Sequence, residues 1–379
     1  MIPVMRPWLG EEEAEAAAGV VRSGWVAQGP RVAEFEDRFA DRVGVRNGVA
    51  VSSCTTALHL SLHLLGVGPG DEVVVPSFSF IATANCVVHA GATPVFADVE
   101  AEDGNISERT VEPVLTPRTT AVIVVHQAGV PADVGPLREL CRDRGIALVE
   151  DAACAVGATL HGRPVGSDAL LAAWSFHPRK LLTTGEGGML TTTDPALAER
   201  ARRLREHGMD VSAAARHLSR QPVLESYGEV GFNYRMTDIQ AAIGLVQLGR
   251  LDAMVQRRRE LAAGYHELLA DVPGVRAVHD PVHGTTNYQS FWVELAADFP
   301  LSRNELLGTL AEAGVSARAG IMASHRQPAY AGHPHGDLGT TERLTDRTLI
   351  LPLFHELTEA EQGTVVDTVR RAAGLRAAS

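Results

Sequence analysis

A chain of 379 residues, 45% hydrophobic and 21% charged, is long enough for two or three domains and too apolar to be disordered. Acidic residues outnumber basic ones 46 to 34, and a net charge of −12 repels phosphate backbones and anionic lipid, which argues against nucleic acid or a membrane as partner. The 4 cysteines lack C-x-x-C spacing, and no leader or run of about 18 apolar residues is present, so a reduced, cytoplasmic protein is expected, without disulfides or a zinc site.

Two amphipathic helices are predicted first, Glu11–Ser23 and Arg31–Val43. From about residue 48 to 192, short apolar runs at Val49–Ser52, Glu72–Ser77, Thr93–Val99, Ala121–His126, Ile146–Asp151, Ala169–Phe176 and Gly188–Thr192 read as strands. Between them Thr55–Leu65, Ile81–Ala90, Glu108–Leu115 and Val134–Arg144 carry apolar residues three and four apart and read as helices. The alternation predicts an α/β domain with a largely parallel sheet, whose ligands gather at the carboxyl ends of the strands.

A helix at Pro195–His207 follows, then a polar segment, Asp210–Gln221, that reads as a surface loop near substrate. Thr237 opens one long helix predicted to reach Leu269, with Asp238, Gln240 and Asp252 on its polar face. A strand at Ser290–Leu295, a helix at Ser302–Ala313, a strand at Val315–Arg318 and a helix at Thr358–Ala373 make a smaller α+β unit. The boundary is placed at 245, giving a large domain over 1–245 and a small C-terminal domain over 246–379.

Of the 34 basic residues all but Lys180 are arginine. Codon bias toward arginine replaces lysine wherever either cation serves. An arginine cannot lose its proton at working pH, whereas a lysine amine can, and can then attack a carbonyl. Lys180 sits in SFHPRKLLTTGEGG, a loop after an apolar strand, where burial or a neighbouring cation would free the amine for an imine.

An imine-forming lysine suggests pyridoxal phosphate (PLP), which also needs an acid for its ring nitrogen, donors for its phosphate and a face for its ring. Asp151, closing the strand IALVE, is the candidate acid, although an aspartate there also serves as a turn cap. Ser53, Thr55 and Thr56, in a strand–turn–helix, place hydroxyls and N–H groups at a helix N-terminus, a seat for phosphate. Ser175 can add a hydroxyl, and Phe80 a stacking face, although a lone phenylalanine is commonly core. His333 and His335 lack companions at metal-ligand spacing, so no metal site is expected.

SSCTTALHLSL, PSFSFIATAN, VEDAACAVGA, SFHPRKLLTTGEGG and GFNYRMTDIQAAIGLVQL resemble, in order and spacing, the DegT/DnrJ/EryC1/StrS family of PLP-dependent sugar aminotransferases. The resemblance implies the fold-type I aminotransferase architecture, with a large domain on a mostly parallel sheet, a smaller α+β C-terminal domain, and a homodimer with shared active sites. It makes Lys180 the imine-forming lysine and proton carrier, and Asp151 the partner of the pyridine nitrogen. Thr55, Thr56 and Ser175 become phosphate ligands, Phe80 the stacking residue, and Asn233 a phosphate ligand of the other subunit. His325, with Tyr234 and Arg235, becomes a candidate substrate contact. Cys154 stands where the family commonly has glutamine near the ring's phenolic oxygen, and a thiol is a weaker donor.

The implied activity moves an amino group from L-glutamate or L-glutamine to a keto sugar, with pyridoxamine phosphate (PMP) as the intermediate cofactor form. A nucleotide-linked sugar of amino-sugar or antibiotic biosynthesis is the expected acceptor. The alternatives are a keto-cyclitol aminotransferase of aminoglycoside type, and a non-catalytic sugar-binding or regulatory protein on the same scaffold. Sugar dehydratases of this family replace the lysine by histidine, and this chain keeps it.

Overall fold

The computed structural model describes residues 1–211 and 224–376. Its centre is a sheet of seven strands: β1 (Asn47–Val51), β2 (Glu72–Pro76), β3 (Thr93–Ala97), β4 (Thr119–Val125), β5 (Ala147–Asp151), β6 (Leu171–Ser175) and β7 (Gly188–Thr192). The order is β1-β7-β6-β5-β4-β2-β3, and only β7 runs against the others. Both faces are buried, which is why the strands read as continuous apolar runs. Side chains alternate between the faces. Val49, Val51, Val73, Val75, Ile123, Leu171 and Ala173 pack with helices α3 (Cys54–Leu64), α4 (Ala82–His89) and α6 (Pro195–Leu204). Ala50, Ala172 and Trp174 meet Phe35 and Phe39 of α2 (Pro30–Val43) and Leu245 of α7 (Asp238–Gly249), while Val74, Val122 and Val124 meet Leu137 of α5 (Val134–Arg144). An N-terminal helix, α1 (Glu11–Ser23), packs on α7.

A second sheet, all antiparallel, has the order β8 (Val275–Ala277), β9 (Phe291–Leu295), β11 (Thr348–Leu351) and β10 (Arg318–Ala319). It packs with α8 (Leu251–Leu269), α9 (Arg303–Glu312) and α11 (Glu359–Ala372) around Tyr265, Phe291, Leu310 and Val365. A further helix, α10 (Gly339–Arg347), leads into β11.

The predicted long helix is two. Arg250 ends α7, its N–H turning to the carbonyls of Gln247 and Leu248 while its guanidinium is drawn to Glu12 and Glu13 of α1. Asp238 is buried instead of solvated, and its carboxylate accepts the N–H groups of Arg31 and Val32 at the start of α2. Pro113 converts the predicted helix at 108–115 into one α-turn and a 3-10 turn. Val315 is not in the small sheet but bridges to Ile2. The expected substrate loop at 210–221 lies, beyond Val211, outside the described residues.

Candidate functional site

The strand ends converge on one edge of the large sheet. Gly188, the first residue of β7, pairs with both Val51 of β1 and Ser175 of β6, so the turn after β1 and the end of β6 flank a single residue. A Cβ on Gly188 would lie 2.4 Å from the Ser53 carbonyl carbon, so only glycine lets these backbones close up. Ser53 caps α3, accepting the Thr56 N–H at 3.2 Å, while the Thr56 hydroxyl donates back to the Ser53 carbonyl at 2.7 Å. The Thr55 hydroxyl has no hydrogen-bond partner among the described residues. Among the described residues Ser175 Oγ receives only the His177 N–H, at 3.5 Å.

Asp151 closes β5, 5% exposed. One oxygen accepts the Thr83 hydroxyl at 2.9 Å and the other the Ala153 N–H at 3.1 Å. No cation forms an ion pair with it among the described residues. Burial pushes its pKa up, although the Thr83 and Ala153 bonds, Lys180 and His126 pull the other way. His126, buried at the end of β4, accepts the Ala132 N–H on Nδ1, which leaves the proton on Nε2 for Glu150 at 3.2 Å.

Lys180 lies in the β6–β7 loop, and its Nζ donates to Cys154 Sγ at 3.0 Å. Burial works against its charge, but Cys154, Cys54 and Asp151 outweigh that and hold its pKa above the ordinary lysine value. Cys54 Sγ is 3.9 Å from Asp151, and burial and that carboxylate push its thiol pKa well up. All 4 cysteines are free.

Sequence reasoning missed the residues that hold this loop. Gln289 Oε1 accepts the Leu181 N–H at 2.8 Å and its Nε2 donates to the Arg179 carbonyl at 2.7 Å, so one side chain pins both neighbours of Lys180. Two residues earlier, Asn287 Nδ2 donates to the carbonyls of Cys154 and Val156, each at 2.8 Å. The buried guanidinium of Arg258 in turn grips the carbonyls of Tyr288 and Gln289. Gly129, at φ +94°, passes so close that a Cβ would come within 1.9 Å of Asn287 Oδ1. The strap leading into β9 thus fixes the lysine and the cysteine together. Nothing in TTNYQSFW marks these polar residues as buried, because their partners, Arg258 and the segments around Gly129, Cys154 and Lys180, lie from about 30 to more than 150 positions away.

The remaining candidates lie around this centre. Phe80 is 67% exposed, one turn before the Thr83 that holds Asp151. His325 is tied on both nitrogens, to the Ser77 hydroxyl at the end of β2 at 2.6 Å and to Glu342 at 3.2 Å. Residues 233–235 run beside the end of β1. There the Asn233 side chain is exposed, the Arg235 backbone bridges Val51, and Tyr234 hydrogen-bonds His59 at 2.9 Å and stacks on Phe232. The structure therefore brings Lys180, Cys154, Asp151, Thr55, Thr56 and Ser175 to one edge, while the Tyr234 hydroxyl is turned toward α3. Among the described residues no group of three or more potential ligands could hold a metal ion.

This set fits PLP. It offers an amine, a buried carboxylate with no ion-pair partner among the described residues, and a helix N-terminus with a hydroxyl uncommitted among them. The model of the DegT/DnrJ/EryC1/StrS aminotransferase family matches residues 7–370. The chain is 39% identical over 378 residues to a dTDP-4-dehydro-2,3,6-trideoxy-D-glucose 4-aminotransferase of Saccharopolyspora spinosa, covering 98% of this chain and 97% of the relative. Among solved structures, the aminotransferase TlmJ from Streptoalloteichus hindustanus is 42% identical with a TM-score of 0.90 over 99% of each chain. A Streptococcus pneumoniae protein solved in its PMP form is 28% identical with a TM-score of 0.93 over 99% of each chain.

Proposed function

The chain belongs to the DegT/DnrJ/EryC1/StrS aminotransferase family, whose members depend on PLP, and on that premise we propose that it carries an amino group from L-glutamate or L-glutamine to a nucleotide-linked keto sugar. The observation that carries the reading is the Lys180 amine held 3.0 Å from Cys154 at the sheet edge that also presents Asp151. The name of the Saccharopolyspora spinosa relative, an aminotransferase acting on a dTDP-sugar, supports the acceptor class.

In this reading Lys180 would hold the cofactor, and its Nζ would take a proton from the donor's α-carbon and deliver one to the acceptor carbon. PLP, when bound, supplies the carbonyl for the amine and an electron-withdrawing ring. Asp151 would keep the ring nitrogen protonated, and Thr83 holds that carboxylate in place. Ser53, Thr55, Thr56 and Ser175 would hold the phosphate, Phe80 would supply the stacking face, and Cys154 would take the place of the family's usual glutamine. Asn233 serves the partner subunit of a cytoplasmic homodimer, and His325, Tyr234 and Arg235 lie toward the sugar. The division into a cofactor-binding unit over 1–245 and a smaller one over 246–379 belongs to the same proposal.

The test is spectroscopic. The purified protein is expected to carry a visible absorption band that borohydride abolishes and that Lys180→Ala lacks; an intact band in that variant refutes the assignment of the lysine. A panel of nucleotide keto sugars and keto-cyclitols, each added to the PMP enzyme, restores the band only with the true acceptor class. Restoration by a cyclitol alone refutes the sugar reading.

A further inference from the structure

We propose that hydrogen peroxide joins Cys154 to Lys180 in a reversible sulfur–nitrogen cross-link that withdraws the amine from the cofactor, an inference whose consequence for activity rests on the aminotransferase reading. The two side chains are already paired, Lys180 Nζ donating to Cys154 Sγ at 3.0 Å. One strap holds both. Asn287 binds the Cys154 carbonyl at 2.8 Å, while Gln289 binds the Arg179 carbonyl at 2.7 Å and the Leu181 N–H at 2.8 Å, so neither group can drift from the other without breaking these bonds. Two groups fixed in this way react as if each were present at high concentration beside the other.

The other thiols are placed differently. Cys86 and Cys141 are buried, and Cys86 donates to the Thr83 carbonyl at 3.1 Å. Cys54 lies 3.9 Å from Asp151, and loss of solvent together with that carboxylate keeps its thiol protonated and a poor nucleophile. Cys154 is partly exposed, and its hydrogen-bond partner is an amine, the only lysine of the chain. Where the family commonly has glutamine, the pair does not exist.

The step balances with peroxide as the oxidant. While the amine holds the thiol's proton, the sulfur attacks peroxide; an S–O bond forms, the O–O bond breaks, and the departing hydroxide takes the proton from the ammonium and leaves as water. The neutral amine then attacks the sulfenic sulfur; an S–N bond forms, the S–O bond breaks, and hydroxide leaves with a proton from nitrogen as a second water. Sulfur loses two electrons, and peroxide gains them. Burial opposes the charge of Lys180, and Cys154 comes first among the groups that outweigh it, so oxidation of the sulfur removes that support and favours the neutral amine. Dithiothreitol reverses the link: one of its thiols displaces the amine, which takes that thiol's proton, and the other releases Cys154 and closes the oxidised, cyclic disulfide.

The experiment reads mass before activity. The full-length, cofactor-free chain treated with hydrogen peroxide is expected to become about 2 Da lighter, with the peptides carrying Cys154 and Lys180 joined, and to lose PLP uptake, read as the visible band, about 10-fold or more until dithiothreitol restores both. Loading with PLP beforehand engages the amine and is expected to prevent the link. Cys154→Ser is expected to lose no mass and to take up as much PLP after peroxide as before it, while Cys54→Ser still forms the link. A product that gains oxygen without joining Cys154 to Lys180 overturns the proposal. So does a join between Cys54 and Cys154, which makes the event a disulfide. Loss of PLP uptake in peroxide-treated Cys154→Ser places the sensitive group elsewhere and overturns it too. If the untreated chain takes up no PLP, the parent reading fails, and the joined peptide by itself still decides this one.

Discussion

Gln289→Leu removes the side-chain amide from the strap under Lys180 and keeps nearly the same volume. Two hydrogen bonds vanish, the acceptor for the Leu181 N–H and the donor to the Arg179 carbonyl, at 2.8 and 2.7 Å. A buried polar group left without a partner costs about 1–3 kcal/mol. Leu181 is buried and bears that cost fully, while exposed Arg179 leaves its carbonyl within reach of water, so the total is about 2–4 kcal/mol. Part of that appears as lower thermal stability and part as freedom of the loop. A displacement of about 1 Å at a reacting group costs about 100-fold in rate, so kcat is expected to fall 10- to 100-fold while KM for both substrates stays within threefold. Gln289→Glu retains an acceptor for Leu181 but sets a second acceptor against the Arg179 carbonyl, so it falls between. Thermal unfolding, steady-state kinetics and the pH at which the visible band titrates are the assays. Wild-type kcat and an unshifted band titration in Gln289→Leu would refute the reasoning, because a merely structural strap could lower stability but would leave the lysine where it was.

Asp151→Asn is expected to leave the cofactor-free protein at least as stable as wild type at pH 7 and to lower cofactor affinity and kcat by 100-fold or more. The sign follows from burial. A carboxyl whose folded pKa is raised binds more protons folded than unfolded, so its contribution to stability declines as pH rises from about 4 through the raised pKa. Unfolding of the cofactor-free wild type and variant across that range checks it; a wild type that gains stability over the variant as pH rises would contradict the shift. For the shared site, mixing inactive Lys180→Ala and Asn233→Ala subunits should recover up to about a quarter of wild-type activity, since half the dimers are mixed and each of those has one intact site. No recovery after verified subunit exchange would place Asn233 outside the partner's site.

Local physics made much of the fold legible. The parallel sheet shows in the sequence because strands buried on both faces must be apolar throughout, and its helices show because Ser53, Asp133, Asp194 and Thr237 cap them through side-chain bonds to nearby N–H groups. Where a distant residue intervened, the reading failed. The predicted continuous helix through 237–269 breaks where Glu12 and Glu13 draw on Arg250, and Asp238 turns inward because α2 offers it two N–H groups. Strands of three or four residues such as β8 and β11 are too short to show a period.

The sequence by itself determined the chemistry this chain can bring, because an amine that can lose its proton is a property of one residue type, and Lys180 is the sole lysine. It also determined that Asp151 and the turn after β1 lie at strand ends, since alternating short strands and helices put them there. Only the tertiary structure decided that Cys154 would face that amine, that Thr83 would hold the carboxylate, and that a strap from the far side of the chain would clamp the lysine loop. Those are contacts between segments 26, 68 and 108 residues apart, and no local pattern encodes a hydrogen bond whose partner arrives only when the chain has closed.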